Sequence, residues 1–199
     1  MNETEQRRSE WESLYQAGTT GWDRGRHSPA LHAWLESGAL APCRILIPGC
    51  GRGYEAVHLA QLGYDVTAID IAPSAVQALR TQLAEAGVSA QVVESDIFHW
   101  RPDACFDAIY EQTALCAIDP AMRHDYAERL WSWLKPGGKL YALFMQTGQA
   151  GGPPFHCELA DMRALFPAER WAWPDEIEVR TAHPSREGLH ELGFVLMRR

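Results

Sequence analysis

The sequence lacks the features that mark nucleic-acid-binding, membrane-spanning and exported proteins. Its 199 residues include 26 acidic and 18 basic side chains, a formal net charge of −8, and no basic stretch for nucleic acid or an anionic membrane. No apolar run approaches the roughly 20 residues that cross a bilayer, and the N-terminus MNETEQRRSEWE is polar throughout. We therefore expect a cytoplasmic protein with a small-molecule substrate and no membrane or nucleic-acid partner.

Paired cysteines and metal-binding motifs are also absent. The odd number of cysteines and the absence of a C-x-x-C pair indicate reduced thiols, at Cys43, Cys50, Cys105, Cys116 and Cys157. The histidines show no H-x-x-x-H or Cys/His spacing. We therefore predict no metal site.

Strand and helix patterns alternate through most of the chain. Apolar runs predict strands at 43–48, 65–71, 90–94, 106–111 and 139–145, and apolar periodicity predicts helices at 54–62, 73–86 and about 120–134. Residues 176–182 and 190–198 follow each other too closely for a crossover helix and predict an antiparallel hairpin. The order predicts an α/β, Rossmann-like sandwich whose seven-stranded, mostly parallel sheet ends in that hairpin.

The chain is long enough for one well-packed domain and short for two. We predict a single domain over residues 1–199, with the core at 41–199. Residues 1–40 lie outside the predicted sheet and are rich in aromatic side chains, which makes them a candidate lid.

A glycine loop follows the first predicted strand in the stretch ILIPGCGRGYE. Gly49, Gly51 and Gly53 allow a tight turn and a close approach of a ligand to the backbone, at the edge of the sheet where ligands bind. Asp70 ends the second strand at the distance expected for an acid that binds ribose hydroxyls. This pattern fits both NAD and S-adenosylmethionine.

Residues outside the loop favour S-adenosylmethionine over NAD. Glu111 and Gln112 end the fourth strand, which places a carboxylate where a sulfonium cation is expected, and aromatic faces attract such cations. Asp96 ends another strand and can accept from an adenine amino group. Candidates to pack on the adenine ring are apolar, namely Ile71, Ile97 and Phe98.

Four stretches carry a specific resemblance. WESLYQAGTTGWDRGRHSP, LIPGCGRGYE, FDAIYEQTALCAIDPAMR and GGPPF occur in the order and spacing of the thiopurine S-methyltransferase and halide/thiol methyltransferase family. The resemblance spans nearly the whole chain and is stronger to the bacterial and halide/thiol branch than to the mammalian thiopurine enzymes. It implies a class I methyltransferase fold, with S-adenosylmethionine as cofactor and S-adenosylhomocysteine as product.

The resemblance also implies roles for individual residues. Trp11, Tyr15 and Trp22 match positions that close over the cofactor. Gly49 matches the glycine-loop residue that contacts the cofactor, and Asp70 matches the acid that binds its ribose. Asp96 with Ile97 matches the adenine end, and Gln112 the contact after the fourth strand. Three positions depart from the pattern: Tyr15 replaces a frequent tryptophan, Gln112 an arginine or tyrosine, and Phe155 a tyrosine of the plant halide enzymes.

Methyl transfer to a thiol requires alignment of the nucleophile and removal of its proton. Asp23 is the candidate proton acceptor, acting through water, and Arg24, Arg26, His27 and Phe155 are candidate substrate contacts. We expect S-methylation of a small soft nucleophile, with halide or selenium/tellurium methylation as the alternative.

Two other functions are less favoured. Nitrogen methylation of nucleic acid or protein requires an Asn/Asp-Pro-Pro-aromatic element after the fourth strand, where this chain has Glu111 and Gln112. A non-catalytic S-adenosylmethionine-binding module would share the fold without turnover. The acceptor and the oligomeric state stay open at this point, with a monomer favoured.

Overall fold

The computed structural model describes residues 2–199, and the chain divides into two compact units, Met1–Arg101 and Pro102–Arg199. None of the helices within the described residues is long and apolar enough to cross a membrane.

The first unit contains a parallel sheet and four helices. Its strands lie in the order β3-β2-β1, with β1 at Arg44–Pro48, β2 at Asp65–Asp70 and β3 at Gln91–Glu94. Its helices are α1 (Glu3–Gln16), α2 (Pro29–Glu36), α3 (Tyr54–Gln61) and α4 (Pro73–Ala86). Both α1 and α2 lie outside the sheet, as predicted for residues 1–40.

Local sequence signals set the ends of α3 and α4. Pro73 occupies the first turn of α4, and Gly87 ends that helix in the left-handed conformation with φ 66°. Gly53 precedes α3 with φ 78°, and a Cβ built there would lie 2.3 Å from Cδ1 of Leu79 on α4. Only glycine satisfies both the conformation and the packing at this position.

The second unit contains the remaining strands. They are β4 (Phe106–Gln112), β5 (Leu134–Gln146), β6 (Trp171–Ala172), β7 (Val179–Ala182) and β8 (His190–Arg198). Strand β5 pairs in parallel with β4, while β8 runs antiparallel to β5, β6 and β7. The helices are α5 (Ala114–Ala117), a 3₁₀ turn (Pro120–Met122), α6 (Arg123–Trp133) and α7 (Leu159–Leu165).

The predicted hairpin is confirmed, because β7 and β8 pair antiparallel, from Val179 with Gly193 to Ala182 with His190. Residues 2–199 contain eight strands, one more than the predicted seven, because β6 has only two residues and carries no periodic pattern. Strand β5 begins at Leu134, earlier than the predicted strand at 139–145, and its register with β4 shifts between Leu134 and Lys139. The short helices α5 and α7 were also not predicted.

Candidate functional site

The glycine loop after β1 is hydrogen-bonded to the end of β2. Gly49 and Gly51 have φ values of 59° and 55°, in the left-handed region that favours glycine. The backbone N–H of Cys50 donates to the Ile69 carbonyl at 3.0 Å, and that of Gly51 donates to Oδ2 of Asp70 at 2.8 Å. The loop and the predicted ribose acid therefore form one unit of structure.

The Asp70 carboxylate is buried and faces backbone donors on both sides. Its Oδ1 accepts the N–H of Ala72 at 2.9 Å, and its Oδ2 accepts that of Gly51. Burial raises the pKa of Asp70, while these N–H groups act to lower it. The backbone N–H of Ile71 is a third donor that acts to lower this pKa. Because a carboxylate offers about four acceptor sites, these three donors leave it capacity for a ribose hydroxyl.

An aromatic cluster formed by Trp11, Tyr15 and Trp22 lies beside this loop. Trp22 meets the ring of Trp11 at 5.6 Å and that of Tyr15 at 5.9 Å, both edge to face, and the three pack against the start of α4. The Tyr15 hydroxyl would lie only 3.1 Å from a Cβ at Gly51. Burial and the nearby Asp70 raise the pKa of Tyr15, so its hydroxyl stays protonated. The structure thus brings the three predicted aromatic residues to the glycine loop.

Asp96 is engaged by α1. Its Oδ2 accepts from Nη2 of Arg7 at 2.6 Å and from the Thr4 hydroxyl at 3.2 Å, and its Oδ1 accepts the N–H of Phe98 at 2.9 Å. Burial alone would raise the pKa of Asp96, but these donors bring it below its usual value. Arg7 also lies over the Phe98 ring, 5.5 Å from its centroid. Asp96 therefore holds the N-terminal helix, and its contact with adenine stays a prediction, as do those of Phe98 and the half-buried Ile71 and Ile97.

Asp23 belongs to a polar network between the segment after α1 and the glycine loop. Its Oδ2 lies 2.8 Å from Nε of Arg52, and its Oδ1 accepts the N–H of Gly25 at 2.7 Å. Burial, followed by the charge and hydrogen bond of Asp23, raises the pKa of Tyr54. The Arg52 guanidinium in turn lies 5.6 Å from the centroid of the Tyr15 ring. Arg52 was missed in the sequence, although it stands between two of the loop glycines.

The other charged lid candidates lie in different surroundings. His27 stacks on His58 of α3, with ring centroids 4.0 Å apart and planes 5° apart, and burial lowers the pKa of both rings. Arg26 is exposed. Arg24 is near Glu55. Burial raises the pKa of Glu55, although the charge of Arg24 acts to lower it. Their contact with a substrate stays a prediction.

Glu111 in the second unit is almost completely buried. Its Oε1 accepts the N–H of Leu115 in the first turn of α5 at 2.6 Å, and its Oε2 has no hydrogen-bond partner among residues 2–199. Burial, reinforced by the nearby carboxylate of Glu191, raises the pKa of Glu111 to about 8. Glu111 therefore caps the short helix that follows its strand and carries a proton at neutral pH.

Gln112 and Phe155 are held by neighbours from other elements of this unit. Gln112 donates from Nε2 to Oε2 of Glu191 at 3.1 Å, and the N–H of Phe155 donates to the Cys116 carbonyl at 2.7 Å. Glu191 was not identified from the sequence, because no motif surrounds it. No group of three His, Cys, Asp or Glu side chains among the described residues could hold a metal ion.

Comparison with known proteins gives consistent matches over most of the chain. The family model described as Thiopurine S-methyltransferase (TPMT) matches residues 6–187. A probable thiol methyltransferase 2 and a thiocyanate methyltransferase 1, both from Arabidopsis thaliana, are each 31% identical over 92% of this chain and 82% of their own length. A thiopurine S-methyltransferase from Bordetella petrii is 29% identical over 78% of this chain and 80% of its own.

Solved structures share the fold at lower identity. A magnesium protoporphyrin IX methyltransferase from Synechocystis superimposes with a TM-score of 0.75 and 14% identity, covering 100% of this chain and 98% of its own. A Burkholderia thailandensis 1,6-didemethyltoxoflavin-N1-methyltransferase gives 0.74 and 22%, covering 96% of this chain and 86% of its own. The predicted Rossmann-like fold class is thereby confirmed.

Proposed function

Because this chain belongs to the thiopurine S-methyltransferase family, we propose that it transfers a methyl group from S-adenosylmethionine to a small thiol. The observation that carries the proposal is the buried Asp70 carboxylate, which accepts a hydrogen bond from Gly51 of the glycine loop, the residue against which the Tyr15 hydroxyl lies. A plain tight turn would not require a buried acid with free acceptor capacity.

The residues of the first unit suit the parts of this cofactor. Asp70 would accept the ribose hydroxyls, Gly49 and Gly51 would leave space for the amino-acid part, and Asp96 with Ile97 and Phe98 would contact the adenine. The aromatic cluster would cover the bound molecule and exclude water, and its ring faces favour a cation. When bound, S-adenosylmethionine supplies a methyl group on a positively charged sulfur, which takes up an electron pair as the methyl group leaves.

On the acceptor side, the thiol sulfur forms the new bond to carbon and the thiol proton must leave. A free thiol with a pKa of about 8.5 is only a few per cent ionised at neutral pH, so proton removal limits its reactivity. Asp23 is our proposed acceptor of that proton through water, and Arg24, Arg26, His27 and Phe155 are our proposed acceptor contacts. The ion pair of Asp23 with Arg52 supports an additional role in holding the lid.

An anionic acceptor such as thiocyanate or a halide is the second candidate, since one relative is named a thiocyanate methyltransferase. A plant relative at 31% identity and a bacterial relative at 29% identity support the family more than any branch within it. We propose that the chain belongs to the bacterial branch of the family. We also propose that residues 1–199 act as one cytoplasmic methyltransferase domain with residues 1–40 as its lid.

The proposal is tested by transfer of a labelled methyl group from S-adenosylmethionine to a panel of acceptors. The panel contains aliphatic and aromatic thiols, thiopurines, hydrosulfide, thiocyanate and iodide, with amines and nucleic acid as negative controls. We expect transfer to at least one thiol and none to the controls. Binding of S-adenosylhomocysteine without any transfer would instead support a non-catalytic binding module.

A further inference from the structure

Residues 23–28, which we call the strap, contact the glycine loop and α3 near both of their ends. Oδ2 of Asp23 lies 2.8 Å from Nε of Arg52, which stands between two of the loop glycines. The N–H of Ser28 donates to Oε1 of Glu55 in the first turn of α3 at 2.8 Å. Both ends of the strap are therefore held by polar contacts within the first unit.

A third contact, between two histidines, lies beside the second. The imidazole ring of His27 stacks on that of His58, with ring centroids 4.0 Å apart and planes 5° apart. His58 follows Glu55 by three residues, so these two side chains share one face of α3. The end of the strap is thus attached to that face by one hydrogen bond and one pair of stacked rings.

The strap connects the aromatic cluster to α2. It directly follows Trp22, which packs edge to face on Tyr15, and the Tyr15 hydroxyl lies against Gly51 of the glycine loop. Ser28 is buried, and its Oγ accepts the N–H of Ala30 at 3.2 Å as the N-cap of α2. Because Trp22 and the strap are consecutive in the chain, a strap that leaves α3 also moves Trp22.

The stacked rings are held in their neutral form. Burial is the main cause that lowers the pKa of both His27 and His58. The charges of Arg26 and His32 act in the same direction on His27, whose ring centroid is 6.3 Å from that of His32. His32 also lowers the pKa of His58. The charges that act on this pair are therefore positive and oppose a further proton.

The neighbouring carboxylates are engaged with other groups. Oε1 of Glu36 lies 3.2 Å from Nε2 of His32, one turn away on α2. Glu55 accepts the N–H of Ser28 and is near the charge of Arg24. These contacts draw the acidic side chains away from the stack, which leaves it sensitive to acid.

The sign of this sensitivity follows from the lowered pKa of each ring. A histidine whose pKa is lowered below the ordinary 6.5 by folding stabilises the folded contact at neutral pH, and this contribution is lost as pH falls through the lowered value. Two protonated rings with centroids 4.0 Å apart repel each other. The contact of His27 with His58 therefore weakens as pH falls.

We propose that His58 is a positioning residue that holds the strap through His27, and that protonation of this pair releases the strap and weakens cofactor binding. The inference rests on the proposed binding of S-adenosylmethionine at the glycine loop. Release acts on that site through Trp22 and through the ion pair of Asp23 with Arg52. His58 itself does not touch the cofactor.

The test measures the affinity for S-adenosylhomocysteine by isothermal titration calorimetry at about pH 7.5 and about pH 5. The wild type should bind about fivefold or more weakly at the lower pH. His58→Ala, which removes the stacked ring, should already bind about threefold or more weakly at the higher pH.

His58→Phe separates the ring from its proton. Phenylalanine keeps a flat surface for His27 and does not ionise, and a protonated His27 is attracted to its face. This variant should match the wild type within about twofold at about pH 7.5 and should lose clearly less affinity at about pH 5. Groups elsewhere in the cofactor site titrate equally in both proteins, so the difference between them reports the stack.

Nuclear magnetic resonance of the histidine rings provides a second measurement. Because linkage is reciprocal, bound S-adenosylhomocysteine should lower the pKa values of His27 and His58 further. His124, an exposed histidine on α6, is the matched control: its titration should not respond to the ligand, and His124→Gln should bind as the wild type does at both pH values.

The inference is overturned if folded His58→Ala binds within about twofold of the wild type at neutral pH, or if the wild type and His58→Phe lose affinity in acid by the same factor. If the His58 variants do not fold, the wild-type titration decides, and pKa values of His27 and His58 that do not respond to the ligand overturn the proposal. A folded wild type that binds no S-adenosylhomocysteine at either pH shows failure of the proposed function instead.

Discussion

At the scale of single residues, Asp70 has a structural task and, in our proposal, a ligand-binding task as well. Its carboxylate orients the glycine loop through Gly51 and caps the turn before α4 through Ala72, and it retains acceptor capacity for a ligand hydroxyl. Removal of this carboxylate should therefore affect cofactor binding more strongly than removal of an acid elsewhere on β2.

We expect Asp70→Ala to weaken binding of S-adenosylhomocysteine by more than tenfold, because hydrogen bonds to a charged group contribute about 1.5–3 kcal/mol. Isothermal titration calorimetry measures this affinity directly. Asp65→Ala, at the exposed start of the same strand, is the control and should bind normally. Unchanged affinity in Asp70→Ala would contradict the assignment of the ribose acid.

Asp23 and Arg52 also act at this scale, as a pair. Their ion pair joins the segment after α1 to the glycine loop and is only partly exposed, with 17% of the Asp23 side chain and 33% of the Arg52 side chain accessible. We expect Asp23→Asn and Arg52→Gln each to raise the KM for S-adenosylmethionine by about threefold to tenfold, the effect of ~1 kcal/mol. The double variant should be no worse than either single one.

Steady-state kinetics of the three variants provides the measurement. A fall in kcat that is confined to Asp23→Asn, with a normal KM for the cofactor, would identify Asp23 as the proton acceptor and not as part of a lid contact.

At the scale of secondary structure, α1 and α4 support each other. Ala72 precedes α4 and has no polar side chain that could accept a hydrogen bond from the first turn of the helix. Glu12 on α1 supplies that acceptor. Glu12 accepts the backbone N–H of Ser74 at 2.9 Å and also its hydroxyl. Together with Arg7 and Thr4, which bind Asp96, this contact attaches the N-terminal helix at both ends.

Glu12→Ala should lower the free energy of unfolding by about 0.5–2 kcal/mol, the usual cost of losing a helix cap. Urea denaturation measures the change. Glu10→Ala, on the exposed side of the same helix, provides the control and should have an effect within about 0.5 kcal/mol. Equal effects of the two substitutions would mean that the contact with Ser74 does not stabilise α4.

At the scale of the whole molecule, the proton on Glu111 links stability to pH. Folding raises the pKa of this carboxyl from an ordinary 4.5 to about 8, with burial as the main cause. At a pH between 4.5 and about 8, the Glu111 carboxyl is ionised in the unfolded chain and protonated in the folded chain. Folding therefore takes up a proton, and this contribution makes the protein less stable as pH rises towards about 8.

Glu111→Gln should remove that part of the pH dependence, because the amide keeps an acceptor for the Leu115 N–H and does not ionise. We expect its stability to fall less than that of the wild type between about pH 5 and pH 8. Thermal unfolding across this range supplies the data, with Glu128→Gln as control. Parallel curves for Glu111→Gln and the wild type would contradict a raised pKa at Glu111.

The sequence by itself determined most strands, the longer helices of the core, and the glycine-loop part of the candidate site. Helix α4 was predicted at 73–86 and observed at Pro73–Ala86, because proline and glycine signals act locally on the backbone. The glycine loop and Asp70 are predicted for a similar reason, since glycine spacing and strand ends are visible along the chain, whereas the roles of the aromatic residues are implied by the family resemblance. The family resemblance linked these features to methyl transfer before any contact was known.

Only the tertiary structure decided which side chains far apart in the sequence contact each other. The contacts of Arg7 with Asp96, Glu12 with Ser74 and Gln112 with Glu191 join positions 89, 62 and 79 residues apart. No local pattern encodes such pairs, because charged and amide side chains are common on any surface and their register depends on how whole strands and helices pack. The raised pKa of Glu111 has the same origin, since burial is a property of the folded chain and not of the residue.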